Sequence, residues 1–485
     1  MSQPQPLASY GSYRGLPSLA GLCSIEEAAR PGFSVEECVR RLKEIHYSFL
    51  RLHGILTARI TAEPIYELKT AFSYHAHLCA EHVQALRSRI AEMREPPLRL
   101  EELPSLELEV YFDEILAAPT TEELLVGVYH HGIQELHALI QSYMEETNPL
   151  TDAPTRRVLR FASMEVEEMS DWGTQATDAI VTAGHHEAMA KWTELLEELV
   201  DGSPRDGSLV ELGGLAKRGA GQPRRHYSQT PYVHDRVPRR DERFTDPWNQ
   251  GVNAESFLYN DAYPARAKAL MMLYKRLREI DVPETMAAII TQTKGKPWGY
   301  YRDMSRQLWD EARHAMMGEV GFVALGVDWT KARITFNWSY RLNTECSPLE
   351  RHGVLYFIEQ GLMPRTGKRY EFETGQASGL PLIATIQDFD WADEVLHSQI
   401  GRQWYVPEFG SLQKALAFGD EAWSKILSNW TTVKAKGLTS HENWWPAVYR
   451  QACAAEGVEP DAAVLAFEET YEGKRADLQR VMGES

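Results

Sequence analysis

The sequence predicts an all-α protein with two four-helix bundles, of which the N-terminal one is degenerate, and a C-terminal helical extension. Two observations carry this prediction. Apolar residues recur every three to four positions through long stretches of the 485 residues, with no convincing strand between them. Capping boxes, in which a Ser or Thr is followed three residues later by Glu, mark helix starts at Ser24, Ser34, Thr120 and Ser347.

The pattern divides the chain into five expected segments. Residues 1–23 form an extended arm, 24–200 the degenerate bundle, 201–252 a Gly/Pro/Arg-rich linker, 253–408 the second bundle and 409–485 the extension. Eight Lys/Arg and three acids fall within the linker stretch 217–243. We interpret this basic stretch as a wrap that docks on an acidic surface, with a site for an anionic partner as the alternative.

Each bundle is expected to contain four long helices. In the first, helices are predicted at about 35–60, 64–93, 120–146 and 152–199, the last opening with a proline in its first turn. In the second, they are predicted at about 264–293, 297–325, 348–361 and 381–404, with a kink at Pro283 in the first of them. Residues 328–346 are ambiguous between a short strand and a crossover.

Composition excludes several classes of protein. A net charge of −18 argues against a broad nucleic-acid-binding surface. No apolar run reaches the roughly 18–20 residues of a membrane span, so no membrane partner is expected. The five cysteines are scattered, which argues against a zinc ribbon or a disulfide framework. Because the N-terminus also lacks the pattern of a signal peptide, a cytoplasmic location is expected.

The strongest chemical signal is a Glu-x-x-His motif that occurs twice in the second bundle. Glu311 and His314 form one copy and Glu394 and His397 the other, each directly preceded by an aspartate. Residues three apart on a helix project from nearly the same face. Helical bundles that hold two metal ions use two such motifs and one Glu from each of the other two helices.

The remaining two helices supply the other carboxylates. The first offers Glu284, with Glu279 as the alternative ligand. The third offers Glu350 or Glu359, and we favour Glu359 because Glu350 is already explained as a capping acid. Glu359 also lies in an apolar neighbourhood, where an unpaired carboxylate would be costly.

Charge balance favours a metal centre at these residues. Four carboxylates crowded into a core repel each other unless cations neutralise them, and two divalent ions would do so. Mixed carboxylate and imidazole ligands suit iron or manganese. Asp310 and Asp393 precede the ligand glutamates, and we expect Asp393 to accept a hydrogen bond from His314 and Asp310 from His397. The predicted ligands are Glu284, Glu311, His314, Glu359, Glu394 and His397.

The motifs DEARH at 310–314 and DEVLHSQIGRQW at 393–404 resemble the ferritin-like di-iron carboxylate superfamily. Within it they look like a bacterial ferritin-like branch distantly similar to its tRNA hydroxylases. The resemblance covers about residues 260–405. It implies a non-haem di-iron or manganese/iron centre that activates O₂ as a co-substrate.

These observations together predict an O₂-activating oxidoreductase or oxygenase that acts on an unidentified small organic substrate. No flavin or iron–sulfur motif is present, so a small ferredoxin-type protein is the expected electron donor. A homodimer is a further expectation. Two alternatives are a metal storage or detoxification protein without an organic substrate and a metal-free helical scaffold.

The first bundle carries many histidines and glutamates but no Glu-x-x-His pair at the expected places. Cys79 stands three residues before His82, and Met169 stands where a histidine would close the other motif. A metal-free bundle is therefore expected, with an unconventional second metal site as the alternative. The candidate side chains are Glu44, His46, Glu81, His82, His130, His131, Glu135, His137, Glu165, Glu167 and Glu168.

Overall fold

The computed structural model describes residues 11–94, 99–202, 222–249, 252–427, 433 and 435–470. These residues form helices and turns without any strand, so the prediction of an all-α protein is confirmed. None of the helices in these ranges combines the length and the apolar character needed to cross a bilayer.

The chain divides into two compact units. The first consists of Met1–Ile55 and Leu78–Val233, and the second of Leu56–His77 and His234–Ser485. This division differs from the expected boundaries at two places. Leu56–His77 belongs to the second unit, and the predicted linker is split between the two units at Val233.

The N-terminal helices lie close to the predicted positions, and they differ from the prediction in three respects. A helix at 106–116 was not predicted, and the long helix expected at 152–199 is interrupted at residues 181–182. Residues Val126–Ile133 form a π-helical segment between two α-helices. The helices up to residue 202 are α1 (Ile25–Ala28), α2 (Val35–Arg59), α3 (Tyr66–Ala91), α4 (Leu106–Leu116), α5 (Thr121–Leu125), α6 (Gln134–Glu146), α7 (Ala153–Ile180) and α8 (Ala183–Gly202).

The helices that follow are more numerous than the sequence predicts. The ambiguous segment 328–346 contains a 3-10 turn at Trp329–Lys331 and a helix. The helices are α9 (Ala254–Leu258), α10 (Ala265–Arg278), α11 (Asp281–Gln292), α12 (Trp298–Ala324), α13 (Asn337–Glu345), α14 (Pro348–Gly361), α15 (Lys368–Ala377), α16 (Pro381–Trp404) and α17 (Leu412–Leu427), followed by Trp445–Glu456 and Ala462–Leu465.

Four helices of the second unit, α10, α12, α16 and α14, pack closely, each against the next. α12 packs against α10 and α16, and α16 packs against α14. A side chain at Gly318 of α12 would place its Cβ 2.7 Å from the carbonyl oxygen of Leu273 on α10. A side chain at Gly401 of α16 would enter the ring of Tyr356 on α14. The two glycines therefore allow these helices to approach more closely than larger residues would.

The predicted kink at Pro283 appears as a complete break between two helices. Pro283 has no N–H to donate, and its ring would clash with the carbonyl of Glu279, four residues earlier. α10 ends at Arg278, and α11 begins at Asp281. Glu279 therefore follows the last residue of α10, whereas Glu284 lies in the first turn of α11.

Arginines of the basic stretch pair with acids of their own unit. Arg225 lies 3.3 Å from Asp113 in the first unit. In the second, Arg243 contacts Glu67 at 2.5 Å. These contacts agree with the interpretation that the basic stretch docks on acidic residues. Residues 203–221 lie outside the part of the chain that the structure describes.

Candidate metal centre

Six buried donor side chains from four helices meet in the core of the second unit. Their side chains are at most 4% exposed, except that of Glu279 at 17%. They are Glu279 at the end of α10, Glu311 and His314 on α12, Glu359 on α14, and Glu394 and His397 on α16.

Three overlapping groups of donor atoms make up this cluster, and they include a seventh donor, Asp390 of α16. Within each group, one donor atom per residue lies within 4.8 Å of the others. Glu311 and His314 each belong to two groups, and Glu311 is the donor that links the group of His314 to the group of His397. The groups are Glu279–Glu311–His314, Glu311–Glu359–His397 and His314–Asp390–Glu394.

The two histidines are oriented from outside the cluster by the aspartates that precede the motif glutamates. Nε2 of His314 lies 3.1 Å from Oδ2 of Asp393, and Nε2 of His397 lies 3.3 Å from Oδ2 of Asp310. These are the two pairs expected from the sequence. A carboxylate on the distal nitrogen fixes the ring so that the other nitrogen faces the ligand position.

The inward-facing nitrogens have the environment that a metal ligand needs. Nδ1 of His314 lies 3.4 Å from Glu279 and 3.5 Å from Glu311, and Nδ1 of His397 lies 3.2 Å from Glu311. Both nitrogens are buried without a hydrogen bond of good geometry, as are Oε2 of Glu279 and Oε2 of Glu394. Buried polar atoms without partners are costly, and a bound cation would satisfy all four. The donor set therefore fits divalent metal ions.

Two arginines form ion pairs with Asp310 and Asp393, the aspartates that orient the histidines. Nε of Arg306 lies 2.9 Å from Oδ2 of Asp310. One nitrogen of Arg313 lies 2.6 Å from both Asp310 and Asp393. Arg313 is the fourth residue of DEARH, and its role as a bridge between the two aspartates was not recognised from the sequence.

Glu284, one of the predicted ligands, is not brought to this cluster. Its carboxylate is fully buried and accepts hydrogen bonds from Lys69 at 2.7 Å, Arg240 at 2.7 Å and Ser339 at 2.8 Å. The helix break redirects α11, so the alternative residue Glu279 takes the place beside His314. The other five predicted ligands lie together.

Several buried polar residues next to the cluster were not predicted from the sequence. The Gln307 side-chain amide donates to Oε1 of Glu359. Lys368 lies 2.9 Å from both Asp390 and Glu394. Arg276 contacts Glu279 and Asp390. Asp390 and Arg276 each lie about one helical turn before a donor glutamate, a spacing that could have identified them.

The ionisation of the donors is strongly shifted. Burial lowers the pKa of His314, but contacts with Asp393, Glu279 and Glu311 outweigh it and raise this pKa to about 10. Burial raises the pKa of Glu311, but His314 and His397 outweigh it and lower this pKa to about 2. Burial, opposed by His397, raises the pKa of Glu359 well above its usual value. Clustered, perturbed groups of this kind are typical of functional sites.

The first unit does not bring its predicted donors together in the same way. His82 contacts Glu165 at 2.6 Å, and Cys79 is buried. No group of three metal-donor side chains with atoms within 4.8 Å occurs among the described residues of this unit. The unconventional second metal site therefore has no geometric support there.

His46 of the first unit supplies a test by pH. It is fully buried, and burial lowers its pKa to about 3 from a usual value of 6.5. Between pH 3 and pH 6.5 the unfolded chain binds a proton at His46 that the folded chain does not. The free energy of unfolding is therefore highest above pH 6.5 and decreases as the pH falls below that value. We expect the difference in unfolding free energy between the wild type and His46→Leu to change by about 2 kcal/mol from pH 7 to pH 5. Urea titrations at both pH values measure it, and identical pH dependence in the two proteins would contradict it.

Comparisons with known proteins add no second source of information on this site. No family model, no curated protein and no solved structure matches the chain. The chemistry of the cluster must therefore be argued from the positions of its own side chains.

Proposed function

We propose that the second unit binds two divalent metal ions in the manner of ferritin-like di-iron proteins and is an O₂-activating oxidoreductase. The observation that carries the proposal is the arrangement of the two imidazoles around Glu311. Their Nδ1 atoms face this shared carboxylate at 3.5 Å and 3.2 Å, and their Nε2 atoms are held by aspartates. Carboxylates and imidazoles in this combination suit iron or manganese.

The residues of such a centre would have three different roles, as metal ligands, as partners that orient the histidines and as cations that neutralise those partners. Glu279, Glu311 and His314 would hold one ion, and Glu311, Glu359 and His397 the other, with Glu394 lying between the two histidines. Asp310 and Asp393 orient the imidazoles, and Arg306 and Arg313 neutralise these aspartates.

Bound iron would supply electron transfer to O₂, which protein side chains cannot perform. The protein keeps this chemistry away from bulk water by burying the donors. A small organic substrate and an external reductant of the ferredoxin class complete the proposal, since the sequence holds no flavin or iron–sulfur motif of its own.

Anaerobic loading with Fe(II) tests the proposal. We expect about two iron ions per chain at excess metal, measured by elemental analysis after removal of unbound iron, followed by a change in the visible spectrum on addition of O₂. His397→Gln should bind less iron, whereas the matched control His352→Gln should bind as much as the wild type. His352 is a buried histidine of α14 whose ring packs against Tyr300 and Tyr405 outside the cluster. A folded protein that binds no iron would refute the metal centre. Bound iron that does not react with O₂ would refute the oxidoreductase.

A further inference from the structure

Two buried cationic side chains lie against one half of the donor cluster. Lys368 is the first residue of α15, and Arg276 lies on α10, three residues before Glu279. Lys368 is 1% exposed, and Arg276 is fully buried. Charged groups are found this deep in a protein only where they are paired, so their partners identify what they neutralise.

Their partners are Glu279 and Asp390 on the His314 side of the cluster and Glu394, which lies near both histidines. The Lys368 ammonium lies 2.9 Å from both carboxylate oxygens of Asp390 and 2.9 Å from Oε1 of Glu394. Arg276 lies 2.9 Å from Oε1 of Glu279 and also contacts Asp390. Glu279, Asp390 and Glu394, all of which belong to groups that contain His314, are therefore already neutralised by protein cations.

The other half of the cluster has no such cation. Glu359 accepts a hydrogen bond from the neutral side-chain amide of Gln307. Burial raises the pKa of Glu359, and Lys368 opposes this rise only through space, since the ion pairs of Lys368 in the described residues are with Asp390 and Glu394. Within the described part of the chain, the ion pairs of His397 are with Asp310, Glu311 and Glu394. A divalent ion placed among Glu311, Glu359 and His397 would therefore meet carboxylates whose charge is not already balanced.

We propose, building on the metal centre above, that Lys368 and Arg276 make its two metal positions unequal. The position of Glu311, Glu359 and His397 binds the first ion. The position of Glu279, Glu311 and His314 binds the second ion more weakly, because repulsion by two fixed positive charges in a buried site opposes it. The protein thus sets an order of loading, in which the second position stays largely empty until metal is in excess.

Titration of the wild-type protein with Mn(II), followed by electron paramagnetic resonance, tests the order. Up to about one equivalent of Mn(II), we expect the spectrum of isolated Mn(II). The signal of a coupled pair should appear only when Mn(II) is in excess, and the second dissociation constant should be at least about tenfold above the first. A coupled signal that grows from the first addition would overturn the proposal. Absence of any bound Mn(II) would instead refute the metal centre on which it rests.

Lys368→Met tests the cause. Removal of this charge should narrow the ratio of the two dissociation constants at least about fivefold. The matched control is Lys275→Met, which removes another buried ammonium whose partners, Glu371 at 2.5 Å and Glu255 at 3.8 Å, are not donors of the cluster. An equal change in both variants would show general loosening of the core and overturn the proposal. If circular dichroism shows that Lys368→Met does not fold, Arg276→Gln is the alternative variant. It removes the charge of the second cation and should also narrow the ratio of the two dissociation constants.

Discussion

Replacement of Glu311 by alanine is expected to abolish tight binding of both metal ions. Its carboxylate is the only donor shared by the Glu279–Glu311–His314 and Glu311–Glu359–His397 groups. Both imidazole Nδ1 atoms also face it within 3.5 Å. Since loss of a residue that merely supports a ligand costs about 10–100-fold in metal affinity, loss of the shared ligand should weaken both ions by more than about 100-fold.

The measurement is the pair of dissociation constants for Mn(II), with circular dichroism to establish that the variant is folded. Glu359→Ala is the informative comparison, because Glu359 belongs to only one of the two groups and its loss should weaken one ion far more than the other. A folded Glu311→Ala protein that still binds either ion with wild-type affinity would show that this carboxylate is not the shared ligand.

The sequence is sufficient to identify the donors on long, regular helices. Glu311 and His314, like Glu394 and His397, lie three positions apart within unbroken stretches of α12 and α16, so helical geometry alone places each pair on one face. Glu359 follows from its apolar neighbours, among which a carboxylate needs a partner. Local rules suffice where the backbone follows its ideal period.

The choice between Glu279 and Glu284 depends on backbone geometry that local rules do not fix. Pro283 predicts a disturbance, but a gentle kink and a complete break leave the following residues on different faces. In the structure α10 ends at Arg278, and a new helix begins at Asp281. Glu279 therefore faces His314, while Glu284 is directed toward Lys69 and Arg240.

The buried cation Lys368 was missed because its helix, α15, has no amphipathic signature. α15 reads KRYEFETGQA, a polar sequence that looks like an exposed loop. Lys368 and Glu371 are nevertheless 1% exposed, since each is paired with charges from other helices. Long-range ion pairs of this kind leave no periodic pattern, and a single sequence offers no means to find them.

Replacement of Glu284 by glutamine is expected to destabilise the second unit strongly while leaving metal binding intact. Lys69 and Arg240 have side chains 1% and 2% exposed, and both lie 2.7 Å from the fully buried Glu284 carboxylate. Burial raises the pKa of Glu284, but these two cations outweigh it and lower that pKa, so the carboxylate is charged. Its neutral amide analogue would leave two buried positive charges without compensation, at a cost of about 3–5 kcal/mol.

The unfolding free energy from denaturant titration measures this cost, and two variants isolate its cause. Glu67→Gln removes a carboxylate whose side chain is 54% exposed in its pair with Arg243, and should cost no more than about 1 kcal/mol. Glu279→Gln should show the opposite combination, clear loss of the ion beside His314 with a modest loss of stability. The loss of stability is modest because Arg276 keeps Asp390 and Glu371 as partners. If Glu284→Gln instead lost metal at unchanged stability, Glu284 would be a ligand and its assignment to the ion pairs with Lys69 and Arg240 would be wrong. Separate effects on stability and on metal content would establish that Glu284 stabilises the fold and Glu279 binds metal. The two glutamates are five residues apart, and the helix break before Pro283 directs them to different surroundings.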